Sequence, residues 1–440
     1  MTKKMTKGRE RPMKRNSLIG FVLAGVVLLW MLPRTFRLVY AQSGSARSGS
    51  AQAPHWGEGG VPQFQFDPDF PKVPSKWKLR FVSSVAGDSQ GNVWIISRPR
   101  NVKSDESSTP APPVMEFDSN GNFVRGWGGE GGPEYQWPSN EHGISVDYKG
   151  FVWIIGNADS KSNNPARLPN DNQILKFTKE GKFVMAIGRN NQTGSNATEV
   201  LRGATNMYVY PKTNELFVSD GYGNSRVMVY DADTGKFKRM WGAYGHKPLD
   251  MDQRPPRSKP KDDPWLAVSE VLQQFGSPVH DLKVSSDGLV YVADRGNKRV
   301  QLFTTDGKFL TEQFLGLDLP GESVGGLAFS PDERFLYVSG APTKGFWILN
   351  RKTLEVLGTT EAGAPKGGFY HHMIGTDSKG NIYTVRVSGA NNKGDVSHAP
   401  VYKYTFKGYS PKTSCAPCEP IRTEESLDSS YSHTGPTESQ

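Results

Sequence analysis

Short apolar runs with period-two alternation recur along this chain, and each is bounded by Gly, Asn or Asp. Such runs form strands that bury one face against a neighbour. The repeating unit is an apolar strand, a Gly/Asn/Asp turn, a strand of the type Val290-Tyr291-Val292-Ala293-Asp294, and a third strand closed by a turn such as Gly181-Lys182-Phe183 or Gly307-Lys308-Phe309. Its second strand can be read at Gly91–Ile96, Gly150–Ile155, Asn214–Ser219, Gly288–Ala293, Arg334–Ser339 and Gly380–Val385, which makes six units. Repeats of roughly 40–50 residues with four strands each indicate a β-propeller. The expected fold is therefore all-β, a six-bladed propeller over residues 80–408. The longest insertion, His246–Gln274, is rich in Pro, Lys and Asp and separates the third unit from the fourth. Radial closure protects sheet edges and leaves a central channel lined by the innermost strands.

The flanks follow different rules. Ser17–Leu32 is an apolar run of 16 residues, preceded by a basic stretch and ended by Pro33. That is short for a spanning helix, which needs ~20 residues, and long for a signal h-region of ~7–15. Val39-Tyr40-Ala41 supplies a small-x-small cleavage site, with Arg34 and Arg37 between it and the apolar run. Residues 1–41 are thus a cleaved signal peptide or an uncleaved membrane-anchor helix. Both export the body, to a periplasmic or extracellular space. Residues 42–79 read as linker and lead-in, with Ser43–Pro54 a flexible tether, and residues 409–440 as a polar, disordered tail.

Charge and cysteine content narrow the partners. The chain carries a net +9, but residues 1–41 hold nine Lys and Arg against Glu10 alone, so +8 belongs to that segment and +1 to the rest. No nucleic-acid partner is expected for the folded body. Cys415 and Cys418, the chain's two cysteines, lie in the tail. A local disulfide is their expected state in an oxidising compartment, because a redox or metal motif normally needs a folded frame.

Chemistry enters through three histidines in matched slots. Glu141-His142-Gly143-Ile144-Ser145-Val146-Asp147, Val279-His280-Asp281-Leu282-Lys283-Val284-Ser285 and His371-His372-Met373-Ile374-Gly375-Thr376-Asp377 align, each histidine opening a strand. The intervening units have Ser83, Thr205 and Gly325 in that slot, so imidazole occupies every second unit. In a closed ring the three converge on one mouth of the channel. His371 competes with His372, but the Asp five residues on in Asp147 and Asp377 sets the register on His372. Three neutral imidazoles with a position left open are the ligand set of a catalytic zinc, whereas structural zinc sites are closed by four protein ligands. Such a metal acidifies a bound hydroxyl, and a base and a cation nearby would make that useful. Tyr222, flanked by Gly221 and Gly223, can project inward from a strand end, and Arg98 and Arg295 follow the equivalent strands of other units.

The segments Ser219-Asp220-Gly221-Tyr222-Gly223-Asn224-Ser225-Arg226, Ala293-Asp294-Arg295-Gly296-Asn297-Lys298-Arg299 and Glu141–Asp147 resemble the peptidyl-α-hydroxyglycine α-amidating lyases, over about Val82–Phe406. That family is a six-bladed propeller of NHL-type repeats. The resemblance implies zinc held by His142, His280 and His372, Tyr222 as base, Arg98 steadying a small-molecule or peptide substrate, and Arg295 lining the same pocket. The implied reaction cleaves an α-hydroxyglycine N–C bond to an amide and glyoxylate. This chain departs from the family at Glu141, Val279 and His371, where Pro usually precedes each histidine, and at Gly223, where the animal enzymes have a disulfide cysteine. Met373 stands where those enzymes have a calcium-binding Asp, so a structural calcium does not carry over. Two other readings compete: an exported, non-catalytic NHL-propeller binding platform, and a calcium-dependent propeller hydrolase of lactonase type. The second prefers oxygen ligands, and the axial slots here offer His, Ser, Thr and Gly.

Overall fold

Every one of the six units folds into a four-stranded antiparallel sheet, and the sheets stand in cyclic order around an axis. The structure is a computed structural model that describes residues 60–102, 109–158, 171–190, 197–250, 253, 273–317, 323–341, 345–360, 371–387 and 400–410. The signal or anchor segment 1–41, the tether, most of the 246–274 insertion, and Cys415 and Cys418 lie outside the described residues. Among the described residues no helix is long and apolar enough to cross a membrane. Non-strand elements include short 3-10 turns at Pro99–Asn101, Ala243–Gly245 and Arg295–Asn297.

The innermost strands of blades one to six are Val82–Gly87, Glu141–Val146, Ala204–Tyr210, Val279–Val284, Leu327–Phe329 and Met373–Thr376. Each contacts the inner strand of the next blade, and the sixth contacts the first. Closure is completed by Pro62–Asp67, which pairs antiparallel with Val401–Tyr409 as the outer strand of blade six. The propeller therefore reaches beyond 80–408: part of the stretch read as a lead-in joins the first and last described strands in one sheet. Alternation in Pro62–Asp67 spans only six residues, too short a run to be assigned to a distant blade from sequence.

Six apolar clusters fill the six gaps between blades. The second strands bury both faces, which exceeds the one buried face expected from alternation. Val93 and Ile95 enter the cluster shared with blade six, while Trp94 and Ile96 enter the one shared with blade two. Each such side chain contributes about 1.5–3 kcal/mol by leaving water. The aspartates used to set the histidine register have a structural task. Asp147 Oδ1 accepts the Lys149 and Phe151 amides and its Oδ2 accepts Trp153 Nε1 at 2.8 Å. Asp377 does the same for Lys379, Asn381 and the Tyr383 hydroxyl. These carboxylates cap the turn that leads each inner strand into the second, with Gly150 and Gly380 at φ +85° and +83°.

Candidate metal centre

In the first four blades the histidine slot is the unpaired residue of a β-bulge. Pairing skips Ser83 between Val82 and Ser84, His142 between Glu141 and Gly143, Thr205 between Ala204 and Asn206, and His280 between Val279 and Asp281. A bulge frees one residue from the ladder and re-aims its side chain. His142 and His280 sit at two of these bulges, and their rings meet each other and that of His372.

His142, His280 and His372 are buried, and one nitrogen from each lies within 4.8 Å of the others. Their Nδ1 atoms are all committed between blades. His142 Nδ1 lies 2.8 Å from the Thr205 carbonyl, His280 Nδ1 3.1 Å from that of Gly325, and His372 Nδ1 2.7 Å from that of Ser83. The three slots that lack histidine thus supply the backbone acceptors for the three that have it. A carbonyl only accepts, so each Nδ1 carries the proton and each Nε2 presents a lone pair. His280 Nε2 and His372 Nε2 are 3.1 Å apart. Two facing lone pairs at that distance repel unless a cation lies between them, and N···N is about 3.3 Å in a tetrahedral site with Zn–N of ~2.0–2.1 Å. The donor set fits a divalent metal. Burial keeps the imidazoles neutral: it pushes the His142 pKa down to about 3, helped by Arg98 and Arg295. His280 and His372 are held well below the ordinary value by burial, by a neighbouring imidazole and by Arg295.

His371 turns away: its Nδ1 lies 2.7 Å from Thr384 Oγ1, and its ring packs against Tyr402 and Tyr404.

Tyr222, Arg98 and Arg295 come to the same place. Each follows the second strand of its blade, Glu215–Asp220, Val93–Ser97 and Leu289–Asp294 respectively. Tyr222 Oη is 3.3 Å from His142 Nε2 and 3.5 Å from His280 Nε2. The chain carries it there by passing Gly221 against the inner strand of blade four, where a Cβ would sit 1.8 Å from the Val279 carbonyl oxygen. Burial pushes the Tyr222 pKa up, opposed by Arg295, which also hydrogen-bonds it, and by Arg98. Burial alone thus opposes a phenolate, and the cationic neighbours favour one. Arg98 donates from Nε to the Glu141 carbonyl at 2.8 Å, and burial pulls its pKa down. A cavity of about 330 Å³ is lined by Arg98, Asn140, Asn157, Tyr222, Arg295, His372 and Val387. Asn140, Asn157 and Val387 were not singled out from the sequence. Asn140 stands two residues before His142 on the same strand entry, which was the available signal; nothing local marks the other two.

Comparison with known proteins agrees with the repeat pattern. An NHL repeat matches residues 279–303, the first three strands of blade four. Peptidyl-glycine alpha-amidating monooxygenase of Mus musculus is 26% identical over 275 residues, covering 60% of this chain and 23% of that protein. The Rattus norvegicus protein of that name is also 26% identical, over 277 residues, again 60% of this chain and 23% of its own length. NHL repeat-containing protein 3 of Mus musculus is 26% identical over 287 residues, 63% of this chain and 67% of that protein. The chain spans less than a quarter of the length of the two monooxygenases. Among solved structures, one titled "Streptogramin B lyase structure" aligns with a TM-score of 0.44 at 12% identity, covering 78% of this chain and 98% of that one. Fold and site define a six-bladed propeller that carries an NHL repeat and a buried three-histidine cluster able to hold a metal, distantly related to amidating monooxygenases and to NHL-repeat proteins.

Proposed function

We propose that this chain is an exported, metal-dependent lyase that cleaves the N–C bond of an α-hydroxyglycine to give an amide and glyoxylate. The observation that carries the reading is Tyr222 Oη lying between His142 Nε2 and His280 Nε2, beside two arginines in one cavity. Distant similarity to amidating monooxygenases supports it. His142, His280 and His372 would hold the ion, and zinc suits three neutral imidazoles without thiolate or carboxylate. When bound, such an ion polarises the carbinol oxygen and lowers the pKa of its proton.

The remaining steps belong to the protein. Arg98 and Arg295 face the anionic substrate and pair its carboxylate, for which a planar guanidinium offers two parallel donors. Tyr222 takes the carbinol proton at Oη. The C–N bond then breaks as the carbinol carbon becomes the aldehyde of glyoxylate, and the proton passes to the departing amide nitrogen. Atoms balance without a further reactant.

Glyoxylate release from N-acetyl-phenylalanyl-α-hydroxyglycine by the zinc-loaded chain tests the reading. Tyr222→Phe is expected to lower the rate by ~10²–10⁴-fold while bound zinc stays the same. Zinc-loaded wild type that releases no glyoxylate above the uncatalysed rate overturns the proposal. That result would favour the binding-platform reading.

A further inference from the structure

The wall of the cavity holds a pair of side-chain amides that the chemistry above does not use. Asn140 Nδ2 donates to Asn157 Oδ1 at 2.6 Å, and both residues line the cavity with Arg98 and Tyr222. Among the described residues, the side-chain atoms Asn140 Oδ1 and Asn157 Nδ2 have no hydrogen-bond partner. Exchanging the roles of the two amides leaves the same inventory: one acceptor and one donor, side by side.

The pair is mounted on a rigid base. Asp171 is buried, and its Oδ1 accepts from the Ser139 amide at 2.8 Å and the Ser139 hydroxyl at 3.0 Å. Its Oδ2 accepts from the Asn140 amide at 2.8 Å and the Ala158 amide at 2.9 Å. The Asn157 amide also donates to the Asn140 carbonyl at 3.1 Å. Gly156 makes room for this carboxylate, since a Cβ there would come within 2.4 Å of Asp171 Oδ2. One carboxylate and one backbone bond already tie the two loops together. The side-chain amides are therefore not needed for closure, and they stand preorganised over the cavity.

We infer that Asn140 and Asn157 are specificity-determining residues that read the peptide backbone on the acyl side of the substrate. An α-hydroxyglycine brings its charge in the carboxylate, which suits the arginines. A neutral acceptor beside a neutral donor suits the N–H and C=O of one residue in an extended peptide, which point the same way. The ligand class is a peptide with at least one amide upstream of the hydroxyglycine, read without regard to its side chain. This rests on the cavity being the α-hydroxyglycine site proposed above.

Two unreactive ligands separate the possibilities: N-acetyl-phenylalanyl-glycine, and 3-phenylpropanoyl-glycine, which keeps the phenyl ring and the carboxylate but lacks the upstream amide. Calorimetric binding to the full-length, metal-loaded chain is expected to favour the first by about ten-fold, the worth of one or two net hydrogen bonds. Asn140→Leu, which removes the acceptor for that upstream N–H at similar size, is expected to erase most of that preference, and Asn140→Ala to erase it as well. A merely structural pair would weaken both ligands together and leave their ratio intact. Equal affinities in wild type, or a preference that survives both variants, overturn the inference. The outcome is separable from that of the lyase reading. Glyoxylate release with no ligand preference removes the amide pair and keeps the lyase, while a preference without glyoxylate release does the reverse.

Discussion

Gly143 connects the fold to the metal centre more directly than any ligand substitution can. It follows His142 and packs against the inner strand of blade three: an added Cβ would meet the Thr205 carbonyl oxygen at 2.5 Å and Asn206 Oδ1 at 3.0 Å there, and Ile155 Cγ2 of its own blade at 3.0 Å. A carbon–oxygen contact needs about 3.3 Å, so Gly143→Ala forces the two strands apart by roughly 0.8 Å. That same carbonyl accepts the His142 Nδ1 proton at 2.8 Å. Stretched toward about 3.6 Å, the bond is lost, and His142 keeps its place but not its orientation. Loss of such an outer partner costs ~10–100-fold in metal affinity, or about 1.4–2.8 kcal/mol. The assay is competition for zinc against a chromophoric chelator, with far-ultraviolet circular dichroism confirming the fold. Gly358→Ala is the control, since a Cβ there meets nothing within 4 Å. Wild-type zinc affinity in a folded Gly143→Ala protein would refute the claim that the interblade carbonyl holds the ligand.

Other consequences can be checked separately. Arg98→Ala is expected to raise KM for an α-hydroxyglycine more than it lowers kcat if, as proposed, the guanidinium pairs the substrate carboxylate; a pure kcat loss in steady-state kinetics would argue against that role. Asp220 and Arg226 form a fully buried pair at 2.9 Å. Asp220→Ala leaves the guanidinium uncompensated and should cost about 3–5 kcal/mol in denaturant unfolding; an unchanged midpoint would contradict it. The metal-free protein should lose stability as pH falls below about 6.5. His142, with a pKa pushed down to about 3, and His371, down to about 4, stay neutral when folded and take protons when unfolded. The unfolded state then binds more protons, so each such histidine costs about 2 kcal/mol at pH 5 relative to neutral pH. Flat thermal midpoints between pH 7.5 and 5 would count against this.

Much of the architecture was legible because its signals are local. Period-two runs closed by Gly, Asn and Asp specify strands and turns within each unit, and their recurrence specifies six blades. The histidine slots were legible for the same reason, since a repeat assigns each residue a place relative to its own strand. What alignment could not supply is contact between units. Pro62–Asp67 closes the ring only because it meets a strand more than 300 residues later, and six residues of weak alternation carry no address. The bulges at His142 and His280 are a register relation between two strands, invisible in either alone. The Thr205, Gly325 and Ser83 carbonyls that fix the imidazole tautomers are backbone atoms, which no side-chain identity announces. Asn140 and Asn157 acquire a shared purpose only when Asp171 draws their loops together. The amino-acid order by itself determined which residues start strands and how many blades there are. Which nitrogens, carbonyls and amides meet at the axis was decided by packing one blade against the next, since those distances depend on residues far apart in the chain.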